Sequence, residues 1–436
     1  MRLRNGFDYK LTMADGNVAS GAYMTVNAGA LGAAHGLTFD ATAELDGHYI
    51  VYGGAGADTV TFGGHFSVND TFDGGAGNNT LTLTNANSLH NLAATTIQNV
   101  ETLAIGVAPG NSFFMTTNDG NVAAGATLTV DFSSSDSVGA ATIHFDGSAE
   151  TDGHFAFIPP SSSTFFNVSG GALSDSLTML SHIGSTVFDG LGGDDTMTIS
   201  ASTGDFTFDG GADADTVALT GGGTIGAGSM NLLSVERMTL DDHSWNVATG
   251  DNAVGGAGTT LTVDATALTG AHTLTFNGSG ETAGSFGLKG GAGDDTLTGG
   301  SQADSFLGGI GADTLTGNGG ADTFFYTSAL QSTGTAHDTI AGFAAGTDKL
   351  DLTTVVNQVY GASGSLDSGA NFDSQLAALN AMHIGGATEI TVTGGTLAGH
   401  IILIVDGDGN AQYNAGSDYV FDITGHTGTL ATGDFI

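Results

Sequence analysis

Four consecutive nine-residue units decide the fold of this chain: GGAGDDTLT at 290–298, GGSQADSFL at 299–307, GGIGADTLT at 308–316 and GNGGADTFF at 317–325. They follow the pattern G-G-x-G-x-D-x-U-x, where U is a large apolar residue. Glycine permits the positive φ angles of tight turns, and x-U-x is a short strand with one inward side chain. We therefore expect each unit to form a turn and a strand on alternating sides, so that every second unit stacks.

This stacking brings aspartates together along two edges. Asp295 is expected to face Asp313 on one edge, and Asp304 to face Asp322 on the other. Glycine turns direct carbonyl oxygens toward the same points, and Ca²⁺ prefers six or more oxygens in a flexible arrangement, whereas Mg²⁺ wants a rigid octahedron. The array therefore predicts several Ca²⁺ sites. Its candidate ligands are Gly291, Gly293, Asp295, Gly300, Asp304, Gly309, Gly311, Asp313, Gly319 and Asp322.

Related units occur earlier in the chain. GGAGADTVT at 53–61 is intact, whereas GGAGNNTLT at 74–82 has Asn in place of Asp, and three weaker units start at Gly170, Gly190 and Gly210. The spacing of 20 residues in the weaker set predicts a wider coil with a single row of turns, because two extra residues preserve the in/out alternation. Glycine-rich turns without metal remain the alternative for these weaker units. The candidate ligands are Gly54, Gly56, Asp58, Asn79, Asp175, Asp195 and Asp215.

A longer repeat divides the chain. An 11-residue block occurs as FDATAELDGHY at 39–49, FDGSAETDGHF at 145–155 and FNGSGETAGSF at 276–286. With the strand-like runs around it, the block defines modules at 1–105, 106–240 and 241–326, followed by a terminal cassette at 327–436. We expect an all-β fold of parallel coils in tandem, with additional short strands. One helix is expected, at 373–382 in the cassette, with Asp373 as its cap.

The repeated block also carries acids and histidines. Glu44, Glu150 and Glu281 occupy equivalent positions, and they either bind further Ca²⁺ or accept hydrogen bonds from the loop backbone. His48 and His154 are also equivalent, which favours a structural role. In the cassette, DGDGN at 406–410 resembles the start of an EF-hand loop, but a polar hairpin turn is the preferred interpretation.

Composition restricts the partners. The chain has 45 acidic and only six basic side chains, with a formal net charge of −39, so too few cations exist to neutralise nucleic-acid phosphates or anionic lipid. Cysteine is absent, which excludes disulfides and thiolate sites. The N-terminus lacks the apolar region of a cleavable signal peptide, and no apolar run is long enough to predict a membrane span. Whether the chain is complete or part of a longer repeat protein is left open.

These motifs resemble those of the RTX family, whose nonapeptides form parallel β-rolls that hold Ca²⁺ between turns. The segments DTIAGF at 338–343 and GTDKLDL at 346–352 look like the cap of such rolls, and the terminal Asp434-Phe435-Ile436 resembles a type I secretion signal. The resemblance implies export through an uncleaved C-terminal signal to the extracellular space or the bacterial cell surface. It identifies the metal and the secretion class but not the activity.

No catalytic constellation is expected. The sequence contains neither H-E-x-x-H nor G-x-S-x-G, the motifs of zinc proteases and of lipases. We therefore expect a structural protein rather than an enzyme: a calcium-ordered component of a surface layer, filament or matrix that associates with like subunits. The alternatives are an adhesin that binds carbohydrate such as a cell-surface polysaccharide, and the non-catalytic C-terminal half of a secreted RTX enzyme.

Overall fold

The computed structural model describes residues 1–86, 89–108, 110–135, 142–180, 183–201, 204–251, 253–254 and 258–436. The chain divides into two compact units, Met1–Val217 with Leu233–Val235, and Ala218–Leu232 with Glu236–Ile436. In each unit short strands pair in parallel with the strand one coil further along the chain. The division into four segments, drawn from the repeats, stays a prediction.

The first unit contains three rows of parallel strands. The longest row runs in the order β1-β3-β5-β7-β10-β12-β14-β16-β18, and shorter rows are formed by β2-β4-β6-β9 and by β8-β11-β13-β15-β17-β19. Equivalent residues pair between coils, as Thr59 does with Thr80. The strands are β1 Tyr9–Thr12, β2 Tyr23–Asn27, β3 Leu37–Ala41, β4 His48–Tyr52, β5 Thr59–Phe62, β6 Thr71–Asp73, β7 Thr80–Ala86, β8 Leu89–Asn91, β9 Ile97–Gln98, β10 Thr102–Val107, β11 Phe113–Thr116, β12 Thr127–Asp131, β13 Thr142–Asp146, β14 His154–Ile158, β15 Ser162–Ser169, β16 Ser176–Met179, β17 Ile183–Asp189, β18 Thr196–Ser200 and β19 Phe206–Asp209, with β20 Thr216–Thr220 at the division.

The second unit has two such rows and an antiparallel end. One row runs β23-β25-β27-β29-β31-β33, and the other runs β24-β26-β28-β30-β32 and continues through β37, β36, β35 and β34. Strand β36 is antiparallel to both β35 and β37. The strands are β21 Gly223–Ile225, β22 Met230–Leu233, β23 Arg237–Leu240, β24 Trp245–Ala248, β25 Thr260–Asp264, β26 Leu274–Asn277, β27 Ser285–Lys289, β28 Thr296–Thr298, β29 Ser305–Leu307, β30 Thr314–Thr316, β31 Thr323–Tyr326, β32 Asp338–Ala341, β33 Lys349–Leu352, β34 Gln358–Ser365, β35 Gly386–Gly394, β36 Ile401–Val405 and β37 Tyr419–Asp422.

The core of the nonapeptide array is a file of single apolar side chains. The three-residue strands β29 and β30 bury only their middle residues, Phe306 and Leu315. Phe306 stacks on Phe324 one coil later, with ring centroids 5.0 Å apart. Burial of each such side chain stabilises the fold by about 1.5–3 kcal/mol. The large apolar residue of each repeat therefore holds its turn in place.

The fold class is confirmed: the chain is nearly all β, with parallel solenoid coils and one α-helix among the described residues. The helix bounds were predicted only in part. Helix α1 spans Phe372–Leu379 and ends where Asn380 takes a left-handed φ of 45°. The predicted cap is wrong, because Asn371 is the N-cap and Asp373 instead accepts a hydrogen bond from the Tyr413 hydroxyl at 2.8 Å.

Two 3-10 turns, Ala329–Gln331 and Thr432–Asp434, complete the secondary structure. Within the described ranges, no helix is both long enough and apolar enough to cross a membrane.

Candidate metal centre

The motif aspartates of the second unit form a hydrogen-bonded ladder. The N–H of Asp295 donates to Asp313 Oδ1 at 2.8 Å, and the N–H of Asp313 donates to Asp338 Oδ1 at 2.9 Å. The ladder begins at Leu274, whose N–H donates to Asp295 Oδ1. It ends at Asp338, whose Oδ2 accepts the Tyr326 hydroxyl. Each carboxylate therefore joins two successive coils.

A second ladder runs along the opposite edge. The N–H of Phe286, the last residue of the 11-residue block, donates to Asp304 Oδ1. Asp304 then donates to Asp322 at 2.8 Å, and Asp322 donates to Asp348 at 3.1 Å. The structure thus brings Asp295 together with Asp313, and Asp304 with Asp322, the pairs expected from the spacing.

The first unit repeats this arrangement at its own spacing. The N–H of Asp175 donates to Asp195 Oδ1 at 2.6 Å, and that of Asp195 donates to Asp215 Oδ1 at 2.7 Å. Phe155, again the last residue of the block, starts this ladder by donating to Asp175. Strands lie on both sides of each turn, as the wider 20-residue coil requires.

In the ladder that contains Asp58, an amide replaces one carboxylate. Leu37 donates to Asp58, Asp58 donates to Asn79 Oδ1 at 3.0 Å, and Asn79 donates to Glu101. The Nδ2 of Asn79 donates to the carbonyl of Asn99 at 3.0 Å. Asp58 and Asn79 therefore stack despite their spacing of 21 residues.

Each motif begins with a glycine because the carboxylate of the same motif's aspartate lies against that residue. A Cβ on Gly308 would lie 2.3 Å from Asp313 Oδ2, and one on Gly317 would lie 2.0 Å from Asp322 Oδ2. Real Cβ atoms do not come so close to another heavy atom. The first glycine therefore provides space for the carboxylate, not conformational freedom.

The expectation that motif glycines supply positive φ is correct only for the later turn of each stack. Gly309 and Gly311 have φ of 113° and 148°, whereas Gly291 and Gly293, one coil earlier, do not have positive φ. The earlier turns need glycine for close approach, since a Cβ on Gly291 would lie 2.6 Å from the carbonyl oxygen of Leu268. The same lack of positive φ holds at Gly54, Gly56 and Gly300, and also at Gly319 in the third position of its unit.

Backbone carbonyls face the gap between stacked turns. A Cβ on Gly309 would lie 2.0 Å from the Gly291 oxygen, and one on Gly311 would lie 2.3 Å from the Gly293 oxygen. In the first unit, a Cβ on Gly77 would similarly lie 2.3 Å from the oxygen of Gly56. These carbonyl oxygens therefore lie within the stacked turns that also carry the motif aspartates.

The electrostatics of these turns fit a bound divalent cation. Burial, with added repulsion from neighbouring carboxylates, raises the pKa of Asp195 to about 8 and the pKa values of Asp313 and Asp322 to about 7. The Oδ2 atoms of Asp195 and Asp313 are buried and have no hydrogen-bond partner. Burying an ionised carboxylate is unfavourable unless a counter-charge is present. An all-oxygen donor set with several carboxylates is the set that Ca²⁺ prefers.

The same direction holds at the other motif aspartates. Burial raises the pKa of Asp175 and of Asp304 to about 6, and it raises the pKa values of Asp58 and Asp295. Asp215 is fully buried beside Asp195. The predicted aspartates are thus buried in both units, and a neighbouring carboxylate adds repulsion at Asp175, Asp295 and Asp304 but not at Asp58.

Four acids that accept an N–H group from an earlier coil were missed from the sequence. Asp338 and Asp348 end the two ladders of the second unit, Glu101 ends the amide ladder, and Asp70 accepts the N–H of Tyr49 at 2.9 Å. None of them follows a G-G-x-G turn. Their common signal is an acid two residues before a buried strand residue: Phe72 after Asp70, Leu103 after Glu101, Ile340 after Asp338 and Leu350 after Asp348.

The repeated glutamates accept hydrogen bonds from the loop backbone. Glu150 Oε1 accepts the N–H of Gly153 at 3.2 Å, and its Oε2 accepts the N–H of Val122 at 3.3 Å. Glu44 and Glu281 accept the equivalent glycine N–H groups, those of Gly47 and Gly284. A metal role for these glutamates stays a prediction.

Carboxylates gather around two of these glutamates and in the cassette. In three triads the carboxylate oxygens lie within 4.8 Å of one another: Asp15, Glu44 and Asp46; Asp119, Glu150 and Asp152; Asp406, Asp408 and Asp418. The third triad lies in the turn that connects the antiparallel strands β36 and β37, so the DGDGN segment is in a hairpin connection. The Nδ1 of His154 lies 2.7 Å from the Ser174 carbonyl, in keeping with a structural role.

The fold and the ladders together define a calcium-binding β-roll protein. Comparison with known families agrees: residues 245–426 match the Peptidase M10 serralysin C terminal family, and residues 50–64 and 68–84 match the RTX calcium-binding nonapeptide repeat. No curated protein matches the chain. The chain therefore carries RTX calcium-binding nonapeptide repeats and a serralysin-type C-terminal domain, which indicate a type I secreted, extracellular protein.

Proposed function

We propose that this protein is a calcium-dependent structural protein that folds on secretion and assembles with copies of itself into a surface layer, filament or matrix. The observation that carries the calcium dependence is the set of ladders, in which ionisable aspartates stack in buried positions one coil apart. Their charges have too few basic neighbours to balance them, since the chain has six basic side chains in all.

The ladder residues explain how folding depends on the cation. Without a cation, Asp295 and Asp313 repel each other in a buried site, which raises the free energy of the folded chain. Bound Ca²⁺ supplies the positive charge that these carboxylates lack. Glycine carbonyls complete the donor set, and the Asp N–H groups fix the carboxylate orientation. A ligand that binds only the folded state stabilises it by mass action, so a low-calcium cytosol keeps the chain unfolded and exportable.

Two features support self-assembly over catalysis. The same block and coil recur along the chain, as in proteins that build extended structures from like parts. The motifs of the zinc-protease and lipase branches are absent from the sequence. We therefore propose that the exported protein acts through its surface and its copies rather than through a reaction.

Calcium titration followed by electron microscopy tests both parts. Circular dichroism should show β structure rising with Ca²⁺ and lost in chelator. A chain that is equally β-structured in chelator contradicts the calcium dependence. Micrographs at millimolar Ca²⁺ should show ordered sheets or fibres that disperse in chelator, whereas isolated particles under both conditions contradict assembly.

The serralysin match favours one second candidate, a non-catalytic C-terminal part of a secreted RTX enzyme. An antibody against the 290–325 array tests it by precipitating the native secreted protein. A longer native protein with protease activity supports this candidate, and a protein without hydrolytic activity supports the structural one. The adhesin alternative and a polysaccharide partner stay predictions, tested by binding of the calcium-loaded protein to cell-surface glycans.

A further inference from the structure

The outer edge of strand β34 is open. Strand β34, Gln358–Ser365, is the last strand of its sheet and pairs only with β35, in parallel, among the described residues. Alternate N–H and C=O groups along its other side therefore point away from the sheet. An eight-residue open edge is a ready template for another strand.

This edge lacks the usual protection against pairing. Natural edge strands are shielded by charged side chains, prolines or bulges. The segment 352–366 contains no charged residue and no proline, although the chain as a whole carries a net charge of −39. The only register shift against β35 lies at its last residue, Ser365. The edge is therefore flat and uncharged along most of its length.

Apolar surface lies at the beginning of the same edge. Val355 is 76% exposed and Ile384 is 73% exposed, the two largest values among the exposed large hydrophobic side chains of the described residues. Tyr360 stacks on His383 with ring centroids 3.7 Å apart. A groove of about 500 Å³ beside the strand is lined by Val359, Tyr360 and Leu430 together with polar residues that include Glu389. The edge thus offers apolar contacts in addition to backbone hydrogen bonds.

We propose that the outer edge of β34 pairs antiparallel with the β34 edge of a second copy of this chain, which joins the two sheets into one. Two copies of a strongly acidic chain repel each other wherever acids face acids. In a two-fold pairing of β34 the facing residues include Gly361, Ala362 and Ser363, which carry no charge and no bulk. Uncharged edges are therefore the places where such copies can meet. The inference rests on the self-assembly proposed above and names the contact.

One eight-residue strand pair is smaller than a typical stable interface. The contact is therefore weak alone and gains strength when several contacts act together in an assembly. Helix α1 packs against one face of β34, where Leu379 lies over Gly364. An incoming strand therefore meets a preformed sheet.

A charge placed on the edge tests the contact. Ser363 is exposed in β34, and Ser363→Glu sets two like charges close together across the pair. Ser363→Thr keeps the edge neutral. Thr38→Glu makes a similar charge change at an exposed position in β3, which has neighbours on both sides. Sedimentation velocity in millimolar Ca²⁺ measures association of all four proteins, and circular dichroism verifies that each is folded.

We expect the wild type, Ser363→Thr and Thr38→Glu to dimerise alike and Ser363→Glu to dimerise about tenfold more weakly. Equal association of Ser363→Glu and wild type overturns the β34 contact. Electron microscopy of the same samples separates the two proposals. If Ser363→Glu still forms ordered assemblies, the β34 contact is refuted but the proposed self-assembly is not. Dimers without larger assemblies support the edge and refute the layer or filament, and a monomeric wild type without assemblies refutes both.

Discussion

Replacing Asp313 by Asn should change the stability of this protein by different amounts with and without calcium. Asp313 Oδ1 accepts the N–H of Asp295, and its buried Oδ2 has no hydrogen-bond partner. Asn79 shows that an amide can occupy such a position, since its Oδ1 accepts the preceding N–H and its Nδ2 donates to a carbonyl. The substitution therefore keeps the ladder bond and removes the charge.

The expected stability change without calcium follows from the pKa of the Asp313 carboxyl group. Burial raises its pKa from the ordinary 3.8 to about 7, which corresponds to about 4 kcal/mol against the ionised form above that pH. Asp313→Asn removes this penalty, so we expect the calcium-free protein to gain about 1–4 kcal/mol near pH 8. With calcium the variant also loses the stabilisation that a filled site provides. A site filled at about one hundred times its Kd contributes about 2.7 kcal/mol, so the variant's stability relative to the wild type should be about 2.7 kcal/mol lower in calcium than in chelator.

Urea unfolding followed by circular dichroism measures both effects. Samples in chelator contain trimethylamine N-oxide, which favours the folded state equally in every variant. Asp8→Asn is the control, because Asp8 is exposed and lies outside the ladders. We expect this control to be near neutral in both conditions. Destabilisation of Asp313→Asn by the same amount with and without calcium would show that the carboxylate acts only as a hydrogen-bond acceptor and would refute the reasoning.

Three further outcomes are expected. Gly308→Ala should destabilise the calcium-loaded protein by about 1–3 kcal/mol, because its Cβ would lie 2.3 Å from a carboxylate oxygen, whereas Gly226→Ala, with no atom within 4 Å, should be neutral in the same urea titration. Phe306→Ala should destabilise the protein by about 3–5 kcal/mol, because it removes the buried stack on Phe324. A loss smaller than that caused by alanine at an exposed aromatic residue would show that Phe306 does not belong to the core. In chelator with trimethylamine N-oxide, stability should rise as pH falls from about 8 to about 4. Carboxyls such as Asp304, with a pKa raised to about 6, bind protons more tightly when folded, so protonation favours the fold. A thermal midpoint that falls steadily over this range contradicts the burial of these groups.

The repeat pattern was sufficient to predict the fold class and the pairing of turns. Units of nine residues with one inward side chain can stack only with their aspartates aligned, which is why Asp295 meets Asp313. The resemblance of residues 338–352 to a cap was also informative, since Asp338 and Asp348 end the ladders there. Their role as ladder members was not predicted, because a carboxylate can accept the stacked N–H without any glycine turn before it.

Contacts between distant segments account for the other differences. Asp373 looked like a helix cap in the sequence, but the Tyr413 hydroxyl, 40 residues away, takes its carboxylate instead. The glycines of the first turn in each stack looked like sites of positive φ. They are required because a carbonyl of the preceding coil lies where a Cβ would be, as at Gly291. The local sequence pattern does not indicate which atoms of distant segments come into contact.

Asn79 gives the first unit a connection without like-charge repulsion. An amide carries no charge with or without a bound cation, so its bond to Asp58 is not weakened by repulsion between two carboxylates. The other ladders rely on carboxylates whose repulsion returns when calcium is withdrawn. We therefore expect the protein to loosen in a fixed order, with the coils around Asp195 and Asp313 exchanging their amide hydrogens before those around Asn79. Such an order would make the coils around Asn79 the last part of the protein to unfold as calcium is withdrawn.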